Sequence, residues 1–438
     1  MPRIRESIGP RFESWWAHQP TRKTGQGEHN PCRGPIIPPI RALELAVPHI
    51  RIFFSDRIQV NALLVTLCLV AVLVLGSQSA ASFPTYLLAL AMVIAWRQWQ
   101  SVFAVPLIWA VVALLGYLVL STVWSEPFGG RGAATVASRA ALIMLFVVAF
   151  SECGERSGVL TWLGRALTLA GAGAALAALI WFFIRNPENG RLSGLGQLDN
   201  HVVGALILGA VVLFALQRLF DEAATAWRCA AWVALGVMAT AIFFSGSRNA
   251  WISVGLGTCI FVITRRAADA RRFVVAVTAL IAALTLVLGL LVASDLTRSE
   301  LLPRGDSHRL AIWVGSVSGT LAENPWLGRG ILTDDAVHVP GVATFEHPHN
   351  VYLAVFHQGG ALGLVLMAVL VVTLIRVLLR HFHEPDAKLA LGLLGVALPA
   401  FVLDGHELID KVGASWLLFW LPVGVGVGLS WRRMKQSP

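Results

Sequence analysis

Three arginines and two closely spaced histidines are the residues of this sequence whose types and spacing best suit chemistry. Arg191 lies in a short glycine-containing stretch, and Arg248 ends the run Ser-Gly-Ser-Arg. Arg309 lies in a long polar stretch that ends in His347-Pro-His349-Asn. A guanidinium keeps its charge and can donate two parallel hydrogen bonds to phosphate, while a histidine can accept a proton near neutral pH. The set therefore suits a reaction in which pyrophosphate leaves and a hydroxyl group attacks.

Each of these residues also has a simpler structural interpretation. Arg191 could extend to lipid phosphates, Arg309 could be only a charge on a surface helix, and His349 could only cap a helix. Arg248 is harder to explain in this way, because an arginine between two short apolar segments is costly near hydrocarbon unless it has a partner or a function. Because His347 lies beside His349, and the arginines are expected on the same side of a membrane, a functional role is favoured for the group.

Acidic residues are absent from the centres of the apolar segments. Ion-coupled transporters often carry ionisable residues there, so this absence disfavours coupled transport. In the long polar stretch, the spacing of the acidic residues does not indicate a metal site. These residues are Glu323, Asp334, Asp335 and Glu346. We therefore predict no metal and no other cofactor, and we expect arginine to offset phosphate charge.

The composition indicates the kind of fold that must position these residues. Of 438 residues, 56% are hydrophobic and 13% are charged, and the mean hydropathy is +0.70. Soluble domains carry about 25% charged residues. Apolar segments of membrane-spanning length recur, and backbone groups in lipid must bond within the protein, so helices are expected. We predict an all-α polytopic membrane protein, and we attribute the net charge of +9 to its cytoplasmic loops rather than to nucleic-acid binding.

About twelve apolar segments are predicted to be transmembrane helices. The least certain boundary is the short interval between Phe244 and Asn249, where two short helices could instead form one long helix. The segments lie near residues 59–77, 83–96, 103–123, 136–151, 166–184, 201–217, 230–245, 250–264, 273–293, 350–375, 388–403 and 413–430.

Charge asymmetry orients these segments. If the N-terminus is cytoplasmic, most of the 34 Lys and Arg residues fall on the cytoplasmic side, as the positive-inside rule predicts. Both termini are then cytoplasmic, and the arginines and histidines described above lie outside. The predicted organisation is a basic tail (1–57), helices 1–9 (58–293), a large outer loop (294–349), helices 10–12 (350–430) and a short tail (431–438).

The large loop is predicted to contain a helix. Asp306 or Ser307 can cap a helix that runs to about Ala322. Asn324-Pro325 would end it, and Gly328-Arg-Gly330 indicates a turn. An apolar stripe at helical spacing suggests that the helix lies on the membrane surface or packs over the bundle. The stripe consists of Leu310, Trp313, Val314, Val317 and Leu321.

Taken together, these features resemble the O-antigen ligase family over about residues 60–430. The resemblance depends on the helix number, the loop near the C-terminal side and several local motifs. The motifs are Arg191 in its glycine-containing loop, Ser245-Gly-Ser-Arg248, the run Arg309…Trp313…Asn324-Pro325…Gly328-x-Gly330, and His349-Asn350 followed by Tyr352-Leu353 and Gly359-Gly360.

The resemblance implies a fold similar to the GT-C glycosyltransferases, in the inner membrane of a bacterium. It implies inverting, metal-independent transfer of O-antigen from undecaprenyl pyrophosphate to lipid A–core at the periplasmic face. Arg191 and Arg248 would stabilise the pyrophosphate, and Arg309 would bind phosphates of the donor or the acceptor. His349 would accept the proton, although His347 and His338 could reach the same cavity, so the choice among the three histidines stays open.

Two other functions remain as alternatives. O-antigen polymerases of the same superfamily share the Ser-x-Ser-Arg and His-Asn features, although the position of the long loop is more typical of a ligase. A lipid-linked sugar transporter is disfavoured by the absence of charged residues at the centres of the apolar segments. Membrane lipids are expected partners in every case, and the sequence does not predict an oligomeric state.

Overall fold

Each predicted apolar segment coincides with a helix in the computed structural model, which describes residues 57–75, 77–127, 129–153, 159–293, 308–405 and 407–436. The predicted basic tail therefore lies outside the described residues, except for Arg57. The longer helices are α1 (Arg57–Val74), α2 (Phe83–Ile94), α3 (Pro106–Leu120), α4 (Gly130–Cys153), α5 (Val159–Arg185), α6 (His201–Asp221), α7 (Thr225–Phe244), α8 (Arg248–Arg266), α9 (Ala270–Ala293), α10 (Arg309–Glu323), α11 (Val351–Arg380), α12 (Pro385–Leu403) and α13 (Leu421–Gln436). Short helical turns lie at Gln78–Ala81, Trp96–Trp99, Gln100–Ala104, Ser121–Trp124, Gly196–Leu198 and Trp416–Trp420.

Seven helices in the described part of the chain are long and apolar enough to cross a membrane, namely α3 with the turn after it, α4, α5, α6, α7, α11 and α12. An eighth crossing results if α2 and the turns that follow it form one span, although a bend of 79° separates them. The protein is thus a mostly helical, polytopic membrane protein. The count of about twelve spans stays a prediction, because α1 is shorter and α8 carries arginines at both ends.

The helices α6 and α12 form the centre of the bundle. Most of their residues are buried, whereas only a minority of the residues of α7 are buried. α12 lies very close to α8, since a Cβ added to Gly257 would come within 2.8 Å of the Val396 backbone nitrogen. The start of α6, the end of α12 and the start of α11 all border one cavity, so these helix ends converge at one end of the bundle.

A break in α11 receives the glycine turn of the large loop. Gly360 interrupts the helix with φ +58° and ψ −158°. The backbone N–H of Gly330 donates to the carbonyl oxygen of Gln358 at 3.0 Å, and the N–H of Ala361 donates to that of Pro325 at 2.8 Å. A Cβ on Gly328, whose φ is +72°, would lie 2.4 Å from the Gly360 nitrogen. The predicted turn is present, and its glycines allow the two backbones to touch.

The loop helix α10 does not bury its apolar stripe within the protein. Leu310, Val314 and Leu321 of the predicted apolar stripe are exposed, whereas Ile312 is buried against a small hairpin. The residue before the helix is His308, whose side chain forms no capping hydrogen bond. The proposed caps Asp306 and Ser307 lie outside the described residues. Of the two predicted positions for this helix, packing over the bundle does not involve the stripe, and contact of the stripe with the membrane surface stays a prediction.

The hairpin itself corrects the all-α prediction. Strands β1 (Val337–Val339) and β2 (Ala343–Phe345) pair antiparallel, with His338 opposite Thr344. Val337 and Val339 point inward and pack on Ile312 of α10. Three residues per strand are too few for alternation to be recognised in a sequence, so the element was missed.

Candidate active site

Arg191 lies between α5 and α6 and holds the turn between α7 and α8. Its Nε donates to the Ser245 carbonyl oxygen at 3.0 Å, and its Nη2 donates to the Gly246 carbonyl oxygen at 3.2 Å. Carbonyl groups at the C-terminal end of a helix lack helical partners and carry partial negative charge. Gly246 has φ +61°, and a Cβ there would lie 3.3 Å from Arg191 Nε. Arg191 therefore fixes the turn that carries Arg248.

Arg248 is the first residue of α8, and its side chain is exposed. The Ser247 side chain caps this helix by accepting a hydrogen bond from the backbone N–H of Ala250. The partial positive charge of a helix N-terminus adds to the charge of the guanidinium. Within the described residues, Arg248 forms no hydrogen bond or ion pair through its side chain. Its guanidinium can therefore bind an anion without first breaking another contact.

Arg309 begins α10 and reaches the end of α12, where its Nη1 donates to the carbonyl oxygen of Leu403. Burial lowers the pKa of Arg309 from its ordinary value, the charge of Asp404 opposes this shift, and the charge of Arg248 adds to it. Arginine stays protonated in proteins, so Arg309 remains a cation. Arg309 thus links Arg248 and Asp404 in one electrostatic cluster.

His349 forms a pair with Asp404, the residue that follows α12. The His349 Nδ1 lies 3.2 Å from Oδ1 of Asp404, whose side chain is 16% exposed. An ionised carboxylate only accepts hydrogen bonds, so Nδ1 carries the hydrogen and Nε2 is left to accept a proton. His349 has φ +50°, and Asn350 caps α11 by accepting from the N–H groups of Tyr352 and Leu353. This backbone geometry fixes the imidazole at the start of α11.

The pKa of the Asp404 carboxyl lies below its ordinary value. Burial alone would raise this pKa, but the hydrogen bond from His349, the backbone N–H of Gly405 and the positive charges of His349 and Arg309 together lower it. Asp404 is therefore a carboxylate at neutral pH. This ionisation state supports the assignment of the hydrogen to Nδ1 of His349.

His347 packs against His349 and is the second histidine of the cluster. The two ring centroids are 4.0 Å apart, and the backbone N–H of His349 donates to Nδ1 of His347 at 3.3 Å. Since Nδ1 of His347 already accepts a hydrogen bond, the ring is suited to supporting His349. The structure thus brings together His347 and His349.

His338 is not brought to this cluster in the structure. It lies on β1, and its Nδ1 is 3.0 Å from the Thr344 hydroxyl oxygen on β2. The neighbouring valines face α10, so His338 points to the opposite, exposed side of the hairpin. In the described part of the chain, no hydrogen bond or ring contact joins His338 to His347 or His349.

Asp404 was not predicted as a site residue from the sequence. It lies neither at the centre of an apolar segment nor in the large loop, but just after an apolar segment. The available signal was an Asp-Gly pair at a helix end on the predicted outer side of the membrane. Its partnership with His349, 55 residues earlier, depends on tertiary structure.

A cavity of about 540 Å³ opens beside Asp404. It is bordered by the connection before α6, the starts of α6 and α11, the end of α12 and the segment between α12 and α13. The candidate arginines and histidines do not line this cavity. The His349–Asp404 pair therefore has a basic cluster on one side and a separate cavity at Asp404.

Positive charge at this end of the bundle comes from arginines and from helix N-termini. Arg248 and Arg309 are cationic, and α8 and α11 begin here. Within the described residues, no group of three or more His, Cys, Asp or Glu side chains is arranged to hold a metal ion. A phosphate group could be bound by these arginines through charge-assisted hydrogen bonds.

The fold and the site define a class, namely a polytopic helical membrane protein with a histidine–carboxylate pair beside a cluster of arginines. Residues 233–368 match the model of a family described as O-Antigen ligase. An O-antigen ligase of Pseudomonas aeruginosa is 25% identical to this chain over 322 residues, which cover 73% of the chain and 77% of that relative. The resemblance to the O-antigen ligase family is thus confirmed. The matched segment includes Arg248, Arg309 and the three candidate histidines, whereas Arg191 and Asp404 lie outside it.

Proposed function

We propose that the protein is an O-antigen ligase that transfers O-antigen from undecaprenyl pyrophosphate to lipid A–core. The observation that carries this proposal is the His349–Asp404 pair at 3.2 Å, next to the cationic Arg309 and Arg248. The His349–Asp404 pair suits removal of a proton from a hydroxyl group, and the two arginines suit a pyrophosphate leaving group. The likeness to an O-antigen ligase over most of the chain supports the same activity.

In the proposed reaction, a hydroxyl oxygen of lipid A–core attacks the anomeric carbon of the O-antigen. The new carbon–oxygen bond forms as the bond between that carbon and the pyrophosphate oxygen breaks, which inverts the anomeric configuration. Nε2 of His349 accepts the hydroxyl proton, while Asp404 holds the imidazole in the required tautomer and stabilises the imidazolium. Undecaprenyl pyrophosphate leaves with the bonding electrons.

The arginines have different proposed roles. Arg248 is exposed and Arg309 is half-buried, and both stabilise negative charge as it develops on the pyrophosphate. Arg191 is a positioning residue, because its bonds to the Ser245 and Gly246 carbonyl oxygens fix the turn before Arg248. Its charge adds to the local positive potential. His347 supports the His349 ring, and we assign no step to His338, whose Nδ1 lies within hydrogen-bonding distance of Thr344 on the hairpin.

The proposed topology has twelve membrane helices, both termini in the cytoplasm and the site at the periplasmic face of the inner membrane. The positive-inside distribution of Lys and Arg supports this orientation. The end of the bundle that contains the site joins the large loop to α11 and α12. A fold similar to the GT-C glycosyltransferases is part of the same proposal, as is independence from metal ions.

Transfer with purified protein tests the proposal. We expect wild-type protein in detergent or nanodiscs to join a defined lipid-linked glycan to lipid A–core, with or without a chelator. His349→Ala and Arg248→Ala should insert and fold but lose transfer by at least about 100-fold. Normal transfer by folded His349→Ala protein would disprove the assigned chemistry.

An O-antigen polymerase is the nearest alternative, because its family shares the Ser-x-Ser-Arg and His-Asn features present at Ser245–Arg248 and His349–Asn350. Deletion of the gene separates the two functions. Loss of a ligase should leave lipid-linked polymer without attachment to lipid A–core. Loss of a polymerase should instead leave single repeat units attached to the core.

A further inference from the structure

The cavity beside Asp404 differs in charge from the arginine cluster. Among the residues that the structure describes, its lining includes four acidic side chains and no Lys, Arg or His. The acidic residues are Asp199, Asp404, Glu407 and Asp410. Arg139 partly offsets this charge, because its Nη1 lies 3.3 Å from Glu407 and 3.5 Å from Asp410. A cavity lined in this way repels phosphate, so the pyrophosphate and the phosphorylated parts of a lipid substrate belong elsewhere.

The polar lining is suited to neutral hydroxyl groups. Ionised carboxylates only accept hydrogen bonds, and a sugar hydroxyl can donate to them. Gln197 also lines the cavity, and its Nε2 donates to the Val412 carbonyl oxygen at 2.9 Å, which fixes the amide. Asp199 is exposed and forms no hydrogen bond or ion pair through its side chain within the described residues. These two side chains can bind a saccharide without loss of a structural contact.

The position of the cavity relative to His349 and to the arginines indicates which of the two substrates it would bind. The hydroxyl that attacks must lie within hydrogen-bonding distance of His349, whose partner Asp404 borders the cavity. The pyrophosphate of the donor must lie near Arg248 and Arg309, neither of which lines it. We propose, on the basis of the proposed ligase function, that this cavity binds the terminal, phosphate-free sugars of the acceptor through Gln197 and Asp199.

Steady-state kinetics with separate variation of donor and acceptor tests this site. Asp199→Asn and Gln197→Ala should each raise the KM for lipid A–core roughly ten-fold, the usual cost of one hydrogen bond that involves a charged or fixed partner. The KM for the lipid-linked donor and the kcat should change by no more than about two-fold. Glu188→Gln is the matched control, since Glu188 is an exposed acid in the same connection that does not line the cavity.

Direct binding separates this inference from the proposed function. A lipid-free oligosaccharide that reproduces the terminal core sugars should bind wild-type protein in calorimetry and should bind Asp199→Asn more weakly. The same oligosaccharide with an added phosphate should bind poorly. If wild-type protein binds the neutral sugar but transfers nothing, the ligase proposal fails and the saccharide site stands.

Three results would overturn the saccharide site. The first is a rise in the KM for the donor rather than the acceptor in Asp199→Asn and Gln197→Ala. The second is equal binding of the neutral oligosaccharide by wild-type and variant proteins. The third is binding at this cavity only in the presence of a divalent cation, which would make the carboxylates a cation site.

Discussion

At the scale of single residues, the proposed role of His349 as a base depends on the carboxylate of Asp404. Oδ1 of Asp404 lies 3.2 Å from Nδ1 of His349, and the charge of Arg309 helps to lower the pKa of Asp404. The arginines and histidines could be selected from the sequence, because several of them fall on the same side of the predicted membrane. Asp404 could not, because a polar residue after a helix is common and its partner is remote in sequence.

Replacement of Asp404 by Asn tests its role as the residue that orients His349. The amide retains the size of the carboxylate but not its charge, so Nδ1 of His349 no longer has a fixed hydrogen. We expect kcat for transfer to fall roughly 100-fold or more, with a small change in the KM of either substrate. Glu346→Gln, an exposed acid near His347, should retain wild-type kinetics. Two results together would argue that Asp404 has only a structural role. Asp404→Glu, which keeps the charge, would lower kcat as much as Asp404→Asn does, and the pH dependence of kcat in Asp404→Asn would match that of the wild type.

The lowered pKa of Asp404 predicts a pH dependence of stability. A carboxyl with a lower pKa in the folded protein stabilises it above the unfolded pKa, near 3.9. This contribution to stability is lost as the pH falls through the pKa that Asp404 has in the folded protein, which is lower still. Thermal unfolding in detergent should therefore show wild-type protein as more stable than Asp404→Asn at pH 7. The difference should shrink below about pH 4, and a difference that grows with acidity would contradict this prediction.

At the scale of elements, two glycine motifs form one joint between the loop and α11. The Gly328 turn lies against the break at Gly360, and Tyr117 of α3 donates toward the carbonyl oxygens of Leu327 and Gly359 at 3.1 and 2.9 Å. The end of α3 adds the Ser121 hydroxyl, which accepts from the N–H of Ile331 at 3.0 Å. The loop is thus fixed to the bundle at contacts separate from His349, so the glycine motifs position the loop.

Substitution of Gly360 by Ala should break this joint. The position has φ +58°, and a Cβ there would lie 2.4 Å from the carbonyl carbon of Trp326. The strained φ alone costs about 1–3 kcal/mol, and the clash adds to it. We expect a lower thermal unfolding temperature and faster proteolysis near residues 324–333. Gly319→Ala on α10 is the control, because no heavy atom lies within 4 Å of a Cβ added at Gly319. This substitution should leave the thermal unfolding temperature unchanged or raise it, since Ala favours a helix more than Gly does.

The elements also show where prediction from sequence succeeds. The apolar segments were located because length and composition identify a helix in lipid without reference to its neighbours. The burial of Ile312 on α10 could not be predicted, because it depends on the hairpin, whereas Leu310 and Val314 of the apolar stripe are exposed. The break at Gly360 was missed for the same reason, since it requires the Gly328 turn as its partner.

At the scale of the whole molecule, the two ends of the bundle differ in how their charges are arranged. Away from the site, arginines at helix ends pair with nearby acids. Arg165 bonds to Glu222, Arg265 bonds to Asp221, and Arg218 lies 3.6 Å from Glu222. The site end also contains an arginine that pairs with acids, Arg139 with Glu407 and Asp410, but there Arg191 and Arg309 donate to helix carbonyls and Arg248 is exposed. The excess of Lys and Arg in the connections away from the site supports the proposal that this other end is cytoplasmic.

Labelling of single cysteines tests that orientation. After its break at Gly360, α11 continues without interruption to Arg380, which spans about 30 Å at the rise of an α-helix, so its two ends should lie on opposite sides of the membrane. Thr344 on the hairpin and His383 in the connection between α11 and α12 are both exposed. In a cysteine-free background, an impermeant maleimide should label Thr344→Cys in intact spheroplasts, since the hairpin belongs to the loop before α11. It should label His383→Cys only after the membrane is opened. Labelling of both positions from one side would mean that α11 does not cross the bilayer. That result would contradict both the periplasmic site and the twelve-helix topology.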